Sequence, residues 1–205
     1  MNNHTEIVEI LVNYTDTPNE PDVHGRTPVL IAAEKGHTEV VATLSNFIDT
    51  PNAPDNQGWT PIHEAASKGH AEVVNVLKYY TDYPNAPDKL RRTPIHIAAR
   101  HGHTEVVKTL VSCTDTPNAP APGYNGWTPI HFAACNGHTE IVKTLFSCTD
   151  TPNAPSDFGW TPMELASKNG HIDAMNVFLR KSSRKRSAPK FFQAGEPNHK
   201  SRRFP

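Results

Sequence analysis

The stretch GWTPIHEAASKGHAEVV, residues Gly58–Val74, decides the fold because close copies of it recur along the chain. Its Thr-Pro pair recurs at intervals of 33, 33, 35 and 33 residues, at Thr27, Thr60, Thr93, Thr128 and Thr161. Its Gly-His pair recurs at the same intervals, at Gly36, Gly69, Gly102, Gly137 and Gly170. A fixed period of this length is the signature of a repeat protein.

The local chemistry of one unit predicts two helices. Thr60 can cap free backbone N–H groups, and Pro61 suits the first helical position because its missing N–H has no partner there. Gly69 permits the sharp turn that ends this helix. A second helix then buries Val73, Val74 and Leu77, which have the spacing of one helical face.

The segment between units resembles a linker, since it is rich in proline, asparagine and acidic residues. It nevertheless returns with each unit, as TDTPNEPD, DTPNAPD, TDYPNAPD, TDTPNAPA and TDTPNAPS. A single 33-residue unit cannot bury its apolar face, whereas stacked units can. The pattern therefore predicts a solenoid in which this segment is a structural loop.

These residues resemble the ankyrin repeat, whose signature G-x-T-P-L-H-x-A-A-x-x-G-H-x-E-[VI]-V is matched by GWTPIHEAASKGHAEVV and GWTPIHFAACNGHTEIV, and by RRTPIHIAARHGHTEVV with Arg91 at the Gly position. The resemblance covers about 180 residues. It implies an all-α ankyrin-repeat solenoid of helix-turn-helix units, with β-hairpin loops that project from the stack, followed by a disordered C-terminal tail.

The repeat map predicts an ankyrin repeat domain over 1–182 and a basic disordered tail over 183–205. The domain divides into a half repeat at 1–21 and repeats at 22–54, 55–87, 88–122, 123–155 and 156–182. The fourth full repeat carries two extra residues near Ala121–Tyr124. Because the chain starts inside a repeat, we expect Ile7, Val8 and Leu11 to be partly uncovered, and a fragment of a longer solenoid is one interpretation.

Composition narrows the class of protein further. Apolar residues make up 36% of the chain, and no run approaches the length of a membrane helix. The three cysteines do not suggest a disulfide framework, and no secretory signal is visible at the N-terminus. We therefore expect a cytoplasmic or nuclear protein, or one present in both compartments, that is monomeric and has no membrane partner.

The charges are distributed unevenly along the chain. Residues 1–179 carry 11 Lys and Arg against 20 Asp and Glu, whereas residues 180–205 carry 9 Lys and Arg against one acid. The basic tail contains a candidate nuclear-localisation cluster formed by Lys181, Arg184, Lys185, Arg186 and Lys190. The alternatives are a solubilising tail, a tail that folds back on the acidic solenoid, and a tail that binds nucleic acid non-specifically.

Twelve histidines raise the question of a metal or catalytic site. Nine occupy repeat-equivalent positions, which favours structural bonds to a neighbouring loop or to the Thr three residues earlier. Cys135-x-x-His138 resembles half a zinc site but lacks a second ligand pair in the repeat map. The sequence therefore predicts no catalytic residues, no cofactor and no metal, and we expect a non-enzymatic protein.

The residue before each Thr-Pro pair is an Arg or a Trp, and both types are enriched in binding hot spots. We predict that these positions, with variable residues at the loop tips and first-helix ends, bind a protein partner. The resemblance implies that they line the concave face. The candidates are Arg26, Trp59, Arg92, Trp127, Trp160, Lys35, Lys68, Arg100, His101, Tyr124 and Asn136. Two other interpretations of the Arg/Trp series stay open, namely framework packing and cation–π pairing such as that of Trp59 with Arg92.

The function that the sequence favours is an interaction scaffold or adaptor that binds a protein partner, and the nucleus is one expected location. A second hypothesis is that the chain is the ankyrin region of a larger multidomain protein, such as a channel, a kinase or a ubiquitin-ligase adaptor. A third is a nucleic-acid-associated regulator that acts through the basic tail.

Overall fold

The computed structural model of the chain describes residues 5–186, apart from the side chains of Pro122 and of 181–186. Within this range the chain forms eleven α-helices, a single helix followed by five consecutive pairs. Their bounds are α1 Thr5–Val12, α2 Pro28–Lys35, α3 Thr38–Ser45, α4 Pro61–Lys68, α5 Ala71–Leu77, α6 Pro94–His101, α7 Thr104–Val111, α8 Pro129–Cys135, α9 Thr139–Phe146, α10 Pro162–Lys168 and α11 Ile172–Arg186. Short 3-10 turns lie at Lys78–Tyr80 and Pro122–Tyr124.

Each first helix begins and ends as the motif predicts. At the start of α4 the Thr60 hydroxyl accepts a hydrogen bond from the His63 amide, and Pro61 occupies the first helical turn. The helix ends at Gly69, whose φ of 81° is a left-handed conformation that favours glycine. A Cβ at this position would also lie 2.5 Å from Nδ1 of His103 in the next unit.

The pairs stack into two layers, as a repeat array requires. First helices pack on first helices, as α2 on α4 and α6 on α8, and second helices pack on second helices, as α3 on α5 and α7 on α9. We call these the first-helix layer and the second-helix layer. The core runs continuously between them and includes Ile62, Leu77, Ile95, Leu110, Ile130, Ile141 and Leu145, each no more than 1% exposed.

The proline-rich loops are structural elements. In each loop the asparagine side chain accepts a hydrogen bond from a backbone N–H in the first turn of the next first helix, where intrahelical partners are missing. The bonds from Ile62 to Asn52 and from Ile95 to Asn85 are both 3.1 Å. The same bond is made by Asn19, Asn118 and Asn153. The loop therefore sets the position of the next unit.

The projecting loops differ from the expected β-hairpins, because they are turns that contain no strand within the described range. Each is closed by a few local backbone bonds, such as those from the Asp55 amide to the Trp59 carbonyl at 2.9 Å and from the Gly58 amide to the Asp55 carbonyl at 3.0 Å. Only the longer fourth tip is assigned a β-bridge, between Ala121 and Trp127. This bridge pairs the residues at the two ends of the fourth tip.

The two ends of the described chain test the predictions of a partly uncovered first helix and of a disordered tail. In α1, Ile7 and Leu11 are 51% and 58% exposed and Val8 is half-buried, which confirms that this helix is partly uncovered. At the other end, α11 continues to Arg186, four residues beyond the boundary predicted at 182. The predicted disordered tail therefore begins with helical residues, and the rest of it, including Lys190, lies outside the described residues.

Candidate functional site

The candidate residues at the ends of the first helices share one position in the fold. They lie in the last turn of a first helix or just after it, where the buried Ala-Ala pair gives way to the turn into the second helix. Their side chains are exposed, while Ala65 and Ala66 one turn earlier are completely buried. The residues are Lys35, Lys68, Arg100, His101 and Asn136. The first-helix layer thus presents a row of side chains that packing does not use.

The candidate Trp59 is instead part of the framework. Its ring is stacked on the His63 ring with centroids 5.0 Å apart, and its indole N–H donates to the Glu64 carboxylate at 2.6 Å. The guanidinium carbon of Arg92 lies 4.9 Å from the ring centroid, which confirms the cation–π pairing between neighbouring tips. Trp59 is therefore only half-exposed and has polar and aromatic partners within the chain.

The other members of the Arg/Trp series also bond within the chain, to differing degrees. Trp127 packs against His131 and Phe132, with centroids 6.0 and 5.0 Å away. Arg92 donates to the Asp88 carboxylate at 2.6 Å and lies 3.4 Å from the Tyr124 hydroxyl. In the first full unit, the Arg26 backbone amide donates to the Asp22 carboxylate, and the Arg26 side chain makes two further bonds to it, which together keep the pKa of that carboxyl below its usual range.

Trp160 is the exposed member of the tryptophan series. It is 40% exposed, and Nζ of Lys168 lies 4.6 Å from its ring centroid. Trp160, Arg26 and the helix-end row are therefore the candidate residues that remain most accessible to a partner. Trp59, Arg92 and Trp127 mainly hold neighbouring tips and helices together.

The two layers differ sharply in charge. The second helices and connecting loops, taken as residues 5–21, 38–54, 71–87, 104–120, 139–155 and 172–179, carry 13 Asp and Glu against 3 Lys and Arg. The tips and first helices between them carry 7 Asp and Glu against 8 Lys and Arg. The net acidic charge of residues 5–179 thus comes from the second helices and connecting loops, and the net charge of the first-helix layer is nearly zero.

The histidines after Thr-Pro act as structural bridges, as the sequence predicts. Nδ1 of His63 bonds the amide and hydroxyl of Thr60, and Nε2 bonds the Arg92 carbonyl of the next tip at 3.1 Å. Burial lowers the pKa of this fully enclosed ring to about 4, so it is neutral at physiological pH. His131 makes the equivalent bonds to Thr128 and to the Trp160 carbonyl.

His96, the member of this series in the third full unit, differs. Its Nδ1 bonds Thr93, but its buried Nε2 has no hydrogen-bond partner within the described structure. The carbonyls of Trp127 and Ala119 oppose the effect of burial, which still lowers the pKa of His96 to about 4. The Trp127 carbonyl is the equivalent of the acceptors of His63 and His131, and it belongs to a tip that is two residues longer than the others, but Nε2 of His96 does not reach hydrogen-bond geometry with it.

The described residues offer little to a metal or a substrate. No group of three or more potential metal ligands occurs among residues 5–186. A groove of about 620 Å³ is lined by Phe146, Met163, Phe178 and the loop 151–155, and none of its lining side chains is titratable. No described helix is long and apolar enough to cross a membrane.

A family model describing three copies of the ankyrin repeat matches residues 1–88, 49–121, 78–155 and 114–188. These overlapping matches cover most of the chain, so the protein belongs to the ankyrin-repeat family. No curated protein sequence matches the chain. Ankyrin repeats are generally protein–protein interaction modules, and this is the class of function that the fold defines.

Two basic residues of the third tip are not among the individual contacts predicted from the sequence: Lys89, which belongs to a variable loop tip, and Arg91. Both side chains are exposed. Arg91 has a φ of 63° at the position where the other tips have glycine. The signal was visible in the motif comparison, since RRTPIHIAA departs from the GWTPIHEAA pattern at this residue.

Proposed function

We propose that the protein is a non-enzymatic scaffold or adaptor that binds a protein partner across its first-helix layer. The observation that carries this proposal is the exposed helix-end row of Lys35, Lys68, Arg100, His101 and Asn136. These side chains vary between units whose buried framework is nearly constant. Side chains that are excluded from packing and differ between repeats are available for specific recognition.

The second-helix layer supplies a matched control for this proposal. The second helices that precede α11, with their ends, contain three Lys or Arg residues, Lys78, Lys108 and Lys143. Replacing Lys35, Lys68 and Arg100 with alanine removes the same number of positive charges from the other layer. Both triple variants change the net charge equally and leave the buried core intact.

The experiment is quantitative affinity capture from lysate with the full chain and both triple variants, after circular dichroism has shown equal helical content. We expect the first-helix variant to lose its specific partners by tenfold or more, because several contacts are removed together. The second-helix variant should retain them. Equal loss in both variants would mean that net charge decides binding, and the proposed surface would then be wrong.

The basic tail supports a second role, as a nuclear-localisation signal. Lys181, Arg184, Lys185 and Arg186 fall within the last helix, and Lys190 follows it in sequence. A compact basic cluster of this kind is typical of nuclear import signals and also of non-specific nucleic-acid binding. Fluorescence microscopy of the full chain with these five residues changed to alanine tests import. A nuclear fraction that does not change would exclude the signal.

A further inference from the structure

The third full unit carries an unusual concentration of positive charge in the first-helix layer. Its tip and first helix, residues 88–103, contain Lys89, Arg91, Arg92 and Arg100, whereas the equivalent part of the fourth unit, 121–138, contains no Lys, Arg, Asp or Glu. The single acid of this part of the third unit is Asp88, whose side chain is 1% exposed. The charge of this surface is therefore almost entirely positive.

The one buried acid does not neutralise the exposed bases. Asp88 accepts hydrogen bonds from the Leu90 and Arg92 amides and from the Arg92 side chain. Arg92 is thus held by this carboxylate and by Trp59. Among the described residues, neither Arg91 nor Arg100 forms a salt bridge, and Lys89 donates only to the neutral Asn56 carbonyl at 2.6 Å.

Arg91 is held in a backbone conformation that its side chain disfavours. The equivalent residues Gly25, Gly58 and Gly159 have φ values of 79°, 76° and 80°, in the left-handed region. An arginine with φ of 63° is strained there, since a Cβ disfavours this region. Strain at an exposed residue that contributes no buried contact points to a role outside folding.

We call the exposed bases Lys89, Arg91 and Arg100 the basic patch, and their spacing fits the length of an extended peptide. The first helix α6 has eight residues and is therefore about 12 Å long, which separates the tip bases Lys89 and Arg91 from Arg100 in its last turn. An extended peptide covers this distance in about four residues. A segment with two acidic positions about four residues apart would reach both groups of bases at once.

We infer that the third unit is the recognition site for an extended acidic segment of the protein partner, with Arg91 and Arg100 as its principal contacts. This inference rests on the proposed function and specifies the chemistry of the partner. The second-helix layer is acidic and repels an acidic ligand, so such a ligand binds more favourably at the basic residues of the third unit. The tip of the fourth unit lies beside the patch and has no acidic residue that could neutralise the positive charge of the patch.

The test uses the full chain and a fluorescein-labelled peptide of about ten Glu and Gly residues with two pairs of glutamates about four residues apart. Fluorescence anisotropy at low salt compares the wild type with Arg91→Gly/Arg100→Ala. The control is Lys108→Ala/Lys143→Ala, which removes equal charge from the second-helix layer. We expect affinity to fall about tenfold in the first variant and less than twofold in the control. Equal affinities in the two variants would overturn the inference.

Arg91→Gly separates recognition from folding, because it restores the residue type that the other tips use. Its melting temperature should not be lower than that of the wild type, so weaker binding in this variant cannot be attributed to unfolding. A second form of the probe with a photoactivatable end group locates the site by mass spectrometry. Adducts within 88–103 are expected, and adducts confined to the basic residues 180–205 would overturn the inference.

A single-stranded oligonucleotide with the same charge as the peptide tests whether the arginines bind nucleic acid instead of an acidic protein segment. We expect its binding to be unaffected by Arg91→Gly/Arg100→Ala. If the oligonucleotide and not the peptide depends on these arginines, the patch binds phosphates and the inference is wrong. If lysate capture depends on the first-helix layer but the peptide does not bind, the acidic partner is wrong while the proposed function stands.

Discussion

The third and fourth full units share one framework and differ in what that framework exposes. Both have the Thr-Pro start, a buried Ala-Ala pair and a second helix with one fully buried leucine, Leu110 or Leu145. The third unit presents Lys89, Arg91 and Arg100, while the equivalent surface of the fourth has no charge and carries a longer tip. The comparison shows that repeats preserve packing positions and leave the surface between them free to specialise.

The largest effect should come from the shared core. Leu110→Ala and Leu145→Ala each remove a side chain that is completely buried between neighbouring second helices. We expect each to lower the free energy of unfolding by about 3 kcal/mol, within the usual range for buried leucine. Urea unfolding followed by circular dichroism measures both. A difference of more than about 2 kcal/mol between them would show that the two frameworks are not equivalent.

The shared framework is also the part that could be predicted from sequence. Thr60, Pro61 and Gly69 act within a few residues of each other, and local chemistry determines their roles as cap, first residue and turn. The structural role of His63 was predictable in the same way, since its Nδ1 bonds the Thr three residues earlier. Its second bond is to the Arg92 carbonyl of the next unit. The sequence predicted a contact with a neighbouring loop but not which residue would make it.

The surface was less predictable, because exposure depends on the neighbouring tips. Trp59, Trp127 and Trp160 follow the same pattern in sequence, yet only Trp160 is largely accessible. Trp59 is covered by Arg92 of the next unit, and Trp127 packs against Phe132 of its own unit. The loops form turns instead of the expected β-hairpins, because local bonds within each tip, such as those between Asp55 and Trp59 and between Gly58 and Asp55, close it without a strand.

The third and fourth units should also differ in how much acid lowers their stability, because their buried histidines differ in hydrogen bonding. The pKa of His96 in the folded chain is about 4 against an ordinary value of 6.5, so the folded state binds fewer protons than the unfolded state between these values. Stability is therefore complete above pH 6.5 and falls as the pH drops towards 4, by about 3 kcal/mol for this ring. His63 behaves in the same way.

His96→Gln should remove most of this contribution, and urea unfolding at pH 7.5, 5.5 and 4.5 measures it. The matched variant in the fourth unit is His131→Gln. The pKa of His131 is also lowered by burial, but its bond to the Trp160 carbonyl favours the protonated ring. We expect a smaller change in acid sensitivity from His131→Gln. An unchanged pH profile in His96→Gln would contradict the assignment of a neutral buried ring.

The smallest effect concerns the two non-glycine residues in left-handed backbone, Arg91 in the third tip and Asn125 in the fourth, with φ values of 63° and 56°. Arg91→Gly relieves strain of about 1–2 kcal/mol, while the added freedom of the unfolded chain offsets about 0.5–1 kcal/mol of it. The net stabilisation should be about 0.5 kcal/mol.

Asparagine tolerates this region, so Asn125→Gly has less strain to relieve and should be neutral or slightly destabilising. Thermal unfolding of both variants at pH 7.5 measures the difference. If Arg91→Gly destabilises the chain, the arginine contributes to folding, and its strained backbone would no longer point to the recognition of a partner.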